Sequence, residues 1–114
     1  PPMIPDYSEA DTKAKLIDKK LYDRGWTEDN ITREENAGGL YKVKSKVKRD
    51  QKRVDYVMRV KVGNNPESVA VALIEAKKNT LPPGHGLQQA KEYAKRLNVP
   101  FVYSSNGYLF VEYV

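Results

Sequence analysis

The sequence of 114 residues contains no cysteine and one histidine, His85. The absence of cysteine excludes a disulfide framework, a thiolate nucleophile and any zinc site with cysteine ligands, and one histidine is too few for a histidine-rich metal site. No apolar run approaches the roughly 20 residues that cross a bilayer, and the proline-rich start lacks the apolar segment of a signal peptide. We therefore expect a cytoplasmic protein that does not contact a membrane.

Positive charge is in excess. Lys and Arg total 20 and Asp and Glu total 15, which gives a formal net charge of +5. Such an excess suits an anionic partner such as nucleic acid, but a charge of this size can equally keep a small domain soluble. The length predicts a single domain over residues 1–114, and the way the chain begins and ends is typical of a fragment of a longer protein.

Two amphipathic segments predict helices. Ser8 with Asp11 three residues later is a variant of the capping box, and Gly25 is suited to end a helix, so the first helix is predicted from about Ser8 to Arg24. Its apolar residues recur on one stripe, at Ala10, Ala14, Ile17 and Leu21. The second helix is predicted to end near Asn98, on the apolar positions Leu87, Ala90, Ala94 and Leu97.

Strand patterns fill the rest of the chain. A polar strand is predicted from 30 to 36, an alternating, half-buried strand from 53 to 62, and a continuously apolar strand, covered on both faces, from 69 to 74. Segments 101–103 and 108–111 flank Asn106-Gly107, which predicts a hairpin. The order of helix, three strands, helix and strand predicts an α/β fold with a mixed sheet flanked by helices.

Four lysines alternate with other residues in one segment, at Lys42, Lys44, Lys46 and Lys48. One extended strand here would place all four ammonium groups on one face, where they could contact DNA phosphates. The segment could equally be an edge strand whose lysines prevent aggregation with another sheet. Both interpretations remain open.

Asp55 and Glu75 are the candidate catalytic acids of the sequence. They are 75 − 55 = 20 residues apart, which is enough for a strand, a turn and a returning antiparallel strand that brings the carboxylates side by side. Glu75-Ala76-Lys77 follows the buried strand, and the period of two directs Glu75 and Lys77 to one face. Alternatively, both acids are strand-end charges that pair with Arg53, Lys77 or Lys78 on a solvated face.

Phosphodiester hydrolysis requires an attacking water in line with phosphorus and positive charge for the anionic transition state. Magnesium prefers hard oxygen ligands and keeps several waters. Asp55, Glu75 and the backbone carbonyl of Ala76 could therefore hold Mg²⁺, with Lys77 beside the attacking water.

These residues belong to a longer pattern that resembles the amino-terminal nuclease domain in the restriction (motor) subunit of type I restriction-modification enzymes, a domain of the PD-(D/E)XK type. The resemblance covers nearly the whole chain and lies in Ser8-Glu9-Ala10-Asp11-Thr12, Leu16-Ile17, Gly25-Trp26, Arg53-Val54-Asp55-Tyr56, Ile74-Glu75-Ala76-Lys77-Lys78 and Gln89-Ala90-Lys91-Glu92-Tyr93-Ala94. The last segment matches the Gln-x-x-x-Tyr motif of the family. One departure is Val54, which stands where the proline of the motif would be.

The resemblance implies a restriction-endonuclease-like three-layer core. It also implies that Asp55 and Glu75 bind the metal, that Lys77 is the catalytic lysine and that Glu9 is an accessory acid near the metal. Gln89 and Tyr93 correspond to the motif near the DNA path, although both could simply cap the polar face of the sheet.

By the same resemblance, the domain cuts double-stranded DNA with Mg²⁺, for which Mn²⁺ can substitute. Its partners are modification and specificity subunits. ATP would be needed only by a translocase outside this chain, since no Gly-x-x-x-x-Gly-Lys-Ser/Thr loop is present. One alternative is a non-catalytic DNA-binding or subunit-docking module that keeps the fold. Another is a competent nuclease that stays silent until the translocase presents stalled DNA.

Overall fold

The computed structural model describes residues 3–36, 40–43, 46–49 and 53–113. Its helices are α1 (Glu9–Thr12), α2 (Asp18–Asp23) and α3 (Leu87–Leu97), with a π-helical turn at Lys13–Ile17 and a 3-10 turn at Glu28–Asn30. Its strands are β1 (Ile31–Asn36), β2 (Leu40–Val43), β3 (Lys46–Arg49), β4 (Arg53–Lys61), β5 (Ser68–Ala76), β6 (Phe101–Ser105) and β7 (Phe110–Tyr113). None of the helices in this described part is long and apolar enough to cross a bilayer.

Five strands form one mixed sheet in the order β1-β4-β5-β6-β7. β4 pairs with β1 and β5 antiparallel, and β6 pairs with β7 antiparallel. β5 and β6 are parallel, because the chain crosses over through α3 between them. With α1 and α2 on one face and α3 on the other, the sheet has the predicted α/β architecture of three layers.

The first helix runs without a break through α1, the π-helical turn and α2. As predicted, Ser8 caps it, with its Oγ accepting from the amide of Asp11 at 3.0 Å, and the chain leaves the helix at Gly25, where φ is +97°. The predicted apolar stripe is wrong in its first half, since Ala10 and Ala14 are exposed. The buried positions are Thr12, Ile17 and Leu21. A π turn adds a residue, so the buried face advances by five positions there and not by four.

This helix packs on one face of the sheet. The buried cluster beneath it consists of Ile17, Leu21, Ile31, Tyr56, Met58, Ala72, Ile74 and Ala76. The phenol of Tyr56 donates to Oδ1 of Asp18 at 2.7 Å, so the one polar group of this large side chain is satisfied. Burial, followed by this contact with Asp18, raises the pKa of Tyr56.

Helix α3 covers the opposite face. Its buried cluster consists of Val54, Val57, Leu73, Ala90, Tyr93, Ala94, Val99 and Val102. The helix ends at Asn98, which has a left-handed φ of +55°, close to the predicted end. Tyr93 lies outside the predicted apolar stripe, yet it is only 2% exposed.

The two central strands differ from their predicted burial. β4 is buried on both faces from Val54 to Met58, so the prediction of a half-buried strand is wrong, because helices cover both sides. β5 is buried only from Ala72 onward. The reason is that β6 begins to pair with β5 at Ala72, so no strand of the described part of the chain covers that side of the first β5 residues.

The lysine-rich segment forms two antiparallel strands and not one. Lys42 pairs with Val47 and Lys46 with Val43 in the two-stranded sheet of β2 and β3, so the prediction of one continuous strand is wrong. Lys44 and the side chains of Lys42, Lys46 and Lys48 lie outside the described residues. The predicted DNA contact of these lysines stays a prediction.

Candidate metal centre at the ends of two neighbouring strands

Asp55 and Glu75 lie on β4 and β5, which are hydrogen-bonded neighbours. The register pairs Tyr56 with Ile74, and its continuation by one residue places Asp55 opposite Glu75. Their carboxyl groups are close enough for Asp55 to raise the pKa of Glu75. Both are buried, Asp55 at 6% exposure and Glu75 at 4%. The structure thus brings the two predicted acids together, inside the protein and not on a solvated face.

Lys77 follows β5 and lies on the same side as Glu75. A Cβ built on Gly86 would be 2.7 Å from Cε of Lys77 and 3.0 Å from Cγ of Glu75, so both side chains pack against this glycine just before α3. The backbone amide of Lys77 donates to the carbonyl of Ser105 at 2.8 Å and keeps the chain extended beyond β5. The period of two therefore predicted the relative placement of Glu75 and Lys77 correctly.

Gly86 and Ser104 also belong to this site, although they were not predicted from the sequence. The amide of Gly86 donates to Oγ of Ser104 at 3.1 Å, and Ser104 is fully buried. The glycine pair on either side of His85 was the available signal, since glycine often marks a close approach of the backbone to other groups. His85 itself is exposed.

The surroundings of Asp55 and Glu75 disfavour a negative charge on both carboxyl groups at once. Burial, the hydrogen bond to Asp55 and the negative charge of Asp55 raise the pKa of Glu75 to about 9; Glu9 raises it further and Lys77 opposes the change. Oε2 of Glu75 is buried and has no hydrogen-bond partner among the residues that the structure describes. A buried carboxylate oxygen without a partner is costly unless a proton or a cation satisfies it. The pair is therefore suited to a bound cation.

Asp55 is held by two donors. The amide of Ala76 donates to Oδ2 at 2.8 Å, and Nζ of Lys13 donates to Oδ1 at 3.0 Å. Because the N–H and C=O of a residue in an antiparallel ladder point to the same neighbouring strand, the carbonyl of Ala76 faces the side where Asp55 lies. The Ala76 carbonyl is thus directed as the predicted ligand set requires.

Lys13 is a third residue of the site that the sequence did not predict. Its Nζ also contacts Oε1 of Glu34 at 2.6 Å, so one ammonium bridges two carboxylates. Burial opposes the charge of Lys13, but the hydrogen bonds and charges of Glu34 and Asp55 outweigh it and raise its pKa. The residue lies on the π-helical turn, and nothing in the periodicity indicated that turn.

Glu9 lies near the acid pair, whereas Gln89 and Tyr93 lie on α3. Glu9, in the first turn of α1, is close enough for its charge to raise the pKa of Glu75. Nε2 of Gln89 donates to the phenol oxygen of Tyr93 at 2.6 Å. Gln89 is half-buried, whereas the ring of Tyr93 is packed in the core beneath α3. Contact of Gln89 and Tyr93 with DNA stays a prediction.

Within the described residues, no three His, Cys, Asp or Glu side chains gather into a metal cage. A cation here would have two carboxylates and one backbone carbonyl from the protein. That donor set is hard, and it is incomplete, which fits Mg²⁺ with water and phosphate in the remaining positions. The residues present therefore fit the expected metal.

Comparisons with known proteins agree with this architecture. The family described as type I restriction enzyme R protein N terminus matches residues 14–113. The type I restriction enzyme EcoAI endonuclease subunit of Escherichia coli is 35% identical over 112 residues, which are 95% of this chain and 13% of that protein. A fragment structure assigned to an HsdR subunit of a type I restriction enzyme from Vibrio vulnificus YJ016 has 35% identity and a TM-score of 0.74, and the match covers 96% of this chain and 21% of that chain. The chain thus spans a small part of the length of both relatives.

Proposed function

This chain belongs to the family of type I restriction enzyme R protein N termini, and from that premise we propose that it is the Mg²⁺-dependent nuclease domain that hydrolyses phosphodiester bonds of double-stranded DNA. The observation that carries the proposal is the buried pair of Asp55 and Glu75, with an unpartnered Glu75 oxygen and Lys77 on the same side. A relative named as an endonuclease subunit supports the same activity.

Asp55, Glu75 and the carbonyl of Ala76 would hold the metal. A divalent cation held by these groups would supply positive charge to the scissile phosphate and would lower the pKa of the attacking water. The amide of Ala76 fixes the orientation of Asp55 through its 2.8 Å hydrogen bond. Gly86 leaves room for Lys77 beside Glu75, where its ammonium orients the attacking water and offsets the charge of the phosphate.

DNA would be held mainly through its phosphates. The net charge of +5 favours such contacts, and affinity should fall steeply as salt rises. Gln89 is half-buried on α3 and donates through Nε2 to Tyr93, so its amide oxygen and second amide hydrogen would contact phosphate or a base edge once DNA lies along the site. The Lys42, Lys44, Lys46 and Lys48 segment is the proposed second contact.

The larger assembly is part of the proposal. Both relatives are named as subunits of type I restriction enzymes, and this chain matches only a small share of each. We therefore infer that the domain acts in the cytoplasm as the cleavage module of a longer chain with an ATP-driven translocase, together with modification and specificity subunits.

The test is cleavage by the assembled enzyme. Asp55→Ala, Glu75→Ala and Lys77→Ala should each abolish cleavage and leave DNA-dependent ATP hydrolysis at the wild-type level. Glu67→Ala, at an exposed position before β5, is the control and should leave both activities unchanged. Cleavage at the wild-type rate by any of the three site variants would contradict the proposed role of that residue.

One observation favours the second candidate, a DNA-binding or docking module without catalysis. The ammonium of Lys13 already gives Asp55 a positive partner, as in a purely structural ion pair. Titration with Mn²⁺ in the presence of DNA separates the candidates. Binding that is lost in Asp55→Ala supports the nuclease, and the absence of any binding supports the module.

A further inference from the structure

Lys13 is the one cation in direct contact with the acid pair among the ion pairs of the described residues. Its Nζ is 3.0 Å from Oδ1 of Asp55 and 2.6 Å from Oε1 of Glu34. The side chain of Lys13 is 18% exposed and that of Asp55 is 7% exposed, whereas Glu34 is 50% exposed. The ammonium thus lies between a buried acid and one that faces solvent.

Two irregularities of the backbone create this arrangement. Lys13 begins the π-helical turn, whose last residue, Ile17, is fully buried and fixes the helix on the sheet. Glu34 has a φ of +54° in the middle of β1, between residues that pair regularly with β4, and the register places it opposite Asp55. A non-glycine residue in this region is strained, and π turns occur often at functional sites.

We propose that Lys13 is a positioning residue whose ammonium neutralises Asp55 while the site is empty and withdraws to Glu34 when a divalent cation binds. The inference rests on the proposed function, since it takes Asp55 to be a metal ligand. Glu34 makes the shorter contact and remains as a partner, so Lys13 keeps a counter-ion in both states.

The arrangement has an energetic consequence. A singly charged ammonium close to the metal position repels a divalent cation, and burial strengthens that repulsion. Lys13 therefore lowers the affinity of the site for metal, while it keeps the empty site from containing an unbalanced buried charge. A residue that only stabilises the fold would not change metal affinity.

The experiment measures binding of Mn²⁺ alone to the 114-residue chain through the EPR signal of the free ion. Lys13→Gln, which keeps hydrogen-bonding capacity and removes the charge, should bind Mn²⁺ about tenfold more tightly than the wild type. Lys13→Arg should stay close to the wild type. The matched control is Lys15→Gln, which removes the same charge at an exposed position of the same helix and should change affinity by less than about twofold.

Glu34 gives a second and opposite test, and Glu34→Gln should fold like the wild type because its side chain is 50% exposed. Glu34→Gln should weaken Mn²⁺ binding, because it removes the negative charge to which the ammonium of Lys13 withdraws. In the Lys13→Gln background that weakening should largely disappear, since coupled residues give non-additive effects. An equal effect in both backgrounds would overturn the proposed withdrawal.

The outcomes separate this inference from the proposed function. Loss of Mn²⁺ binding in Asp55→Ala, together with unchanged or weaker binding in Lys13→Gln, overturns the role of Lys13 alone. Mn²⁺ binding that survives in Asp55→Ala overturns the metal site and this inference with it. Tighter binding in Lys13→Gln, with no change in Lys15→Gln, supports both.

Discussion

Replacement of Glu75 by glutamine should stabilise the metal-free protein, although most substitutions of a buried residue destabilise. Glutamine has nearly the same shape and can still bond to Asp55, but it carries no charge. In the wild type, the carboxyl of Glu75 is buried beside Asp55, and its pKa is raised to about 9. The folded protein must therefore keep a proton on this residue that the unfolded chain releases.

The magnitude follows from proton linkage. For an acid whose pKa is higher in the folded state, the contribution to stability is complete below the unfolded pKa and is lost as the pH rises toward the folded pKa. The loss is about 1.4 kcal/mol for each pH unit within that window. At about pH 7 it amounts to roughly 3 kcal/mol, which is the upper limit of what Glu75→Gln can recover.

Urea unfolding without metal, at about pH 5 and about pH 7, measures this effect. The gain from Glu75→Gln should be small at the lower pH and large at the higher one. Glu67→Gln is the control, because it makes the same chemical change at an exposed position and should alter stability by no more than about 0.5 kcal/mol at either pH. A Glu75→Gln variant that is less stable than the wild type at the higher pH would refute the reasoning, since it would mean that the charged carboxylate stabilises the fold.

Two further predictions concern the surroundings of the site. Gly86→Ala adds a Cβ that would lie 2.7 Å from Cε of Lys77, so the Lys77 side chain must move. Cleavage by the assembled enzyme should therefore fall on the order of 10²-fold. Urea unfolding of the same variant should show only a modest loss of stability. Unchanged cleavage would show that the position of Lys77 is not critical. Tyr56→Phe removes the 2.7 Å hydrogen bond to Asp18 and should destabilise the protein by about 1–2 kcal/mol without changing Mn²⁺ affinity. A change in Mn²⁺ affinity would contradict a purely structural role for Tyr56.

Local signals were enough to predict the elements that position the pair. The cap at Ser8, the alternation over 53–62 that contains Asp55 and the apolar run before Glu75 each act within a few residues, so periodicity and turn chemistry describe them. The placement of Glu75 and Lys77 on one side needs only the period of two in a strand. The contact between Asp55 and Glu75 needed one further step, that β4 and β5 pair as an antiparallel hairpin, and the register confirms it.

The features that were missed depend on tertiary contacts. Thr12 is buried because its hydroxyl donates to the carbonyl of Ser8 and accepts from the amide of Asn79, a residue far away in sequence. A π turn then brings Ile17 to the sheet and Lys13 to Asp55. An apolar pattern counts threonine as polar and assumes 3.6 residues per turn, so it cannot find either feature. Tyr93 was assigned by its motif alone, and its burial reflects the packing of α3.

The most direct measurement of the central claim is a crystal structure of the chain soaked in Mn²⁺, with anomalous diffraction to locate the ion. We expect one strong peak between the carboxylates of Asp55 and Glu75, within roughly 2–2.5 Å of an oxygen from each and of the Ala76 carbonyl. Lys13 should then contact Glu34 and no longer Asp55. A peak elsewhere, or no peak between these carboxylates at saturating Mn²⁺, would contradict the account.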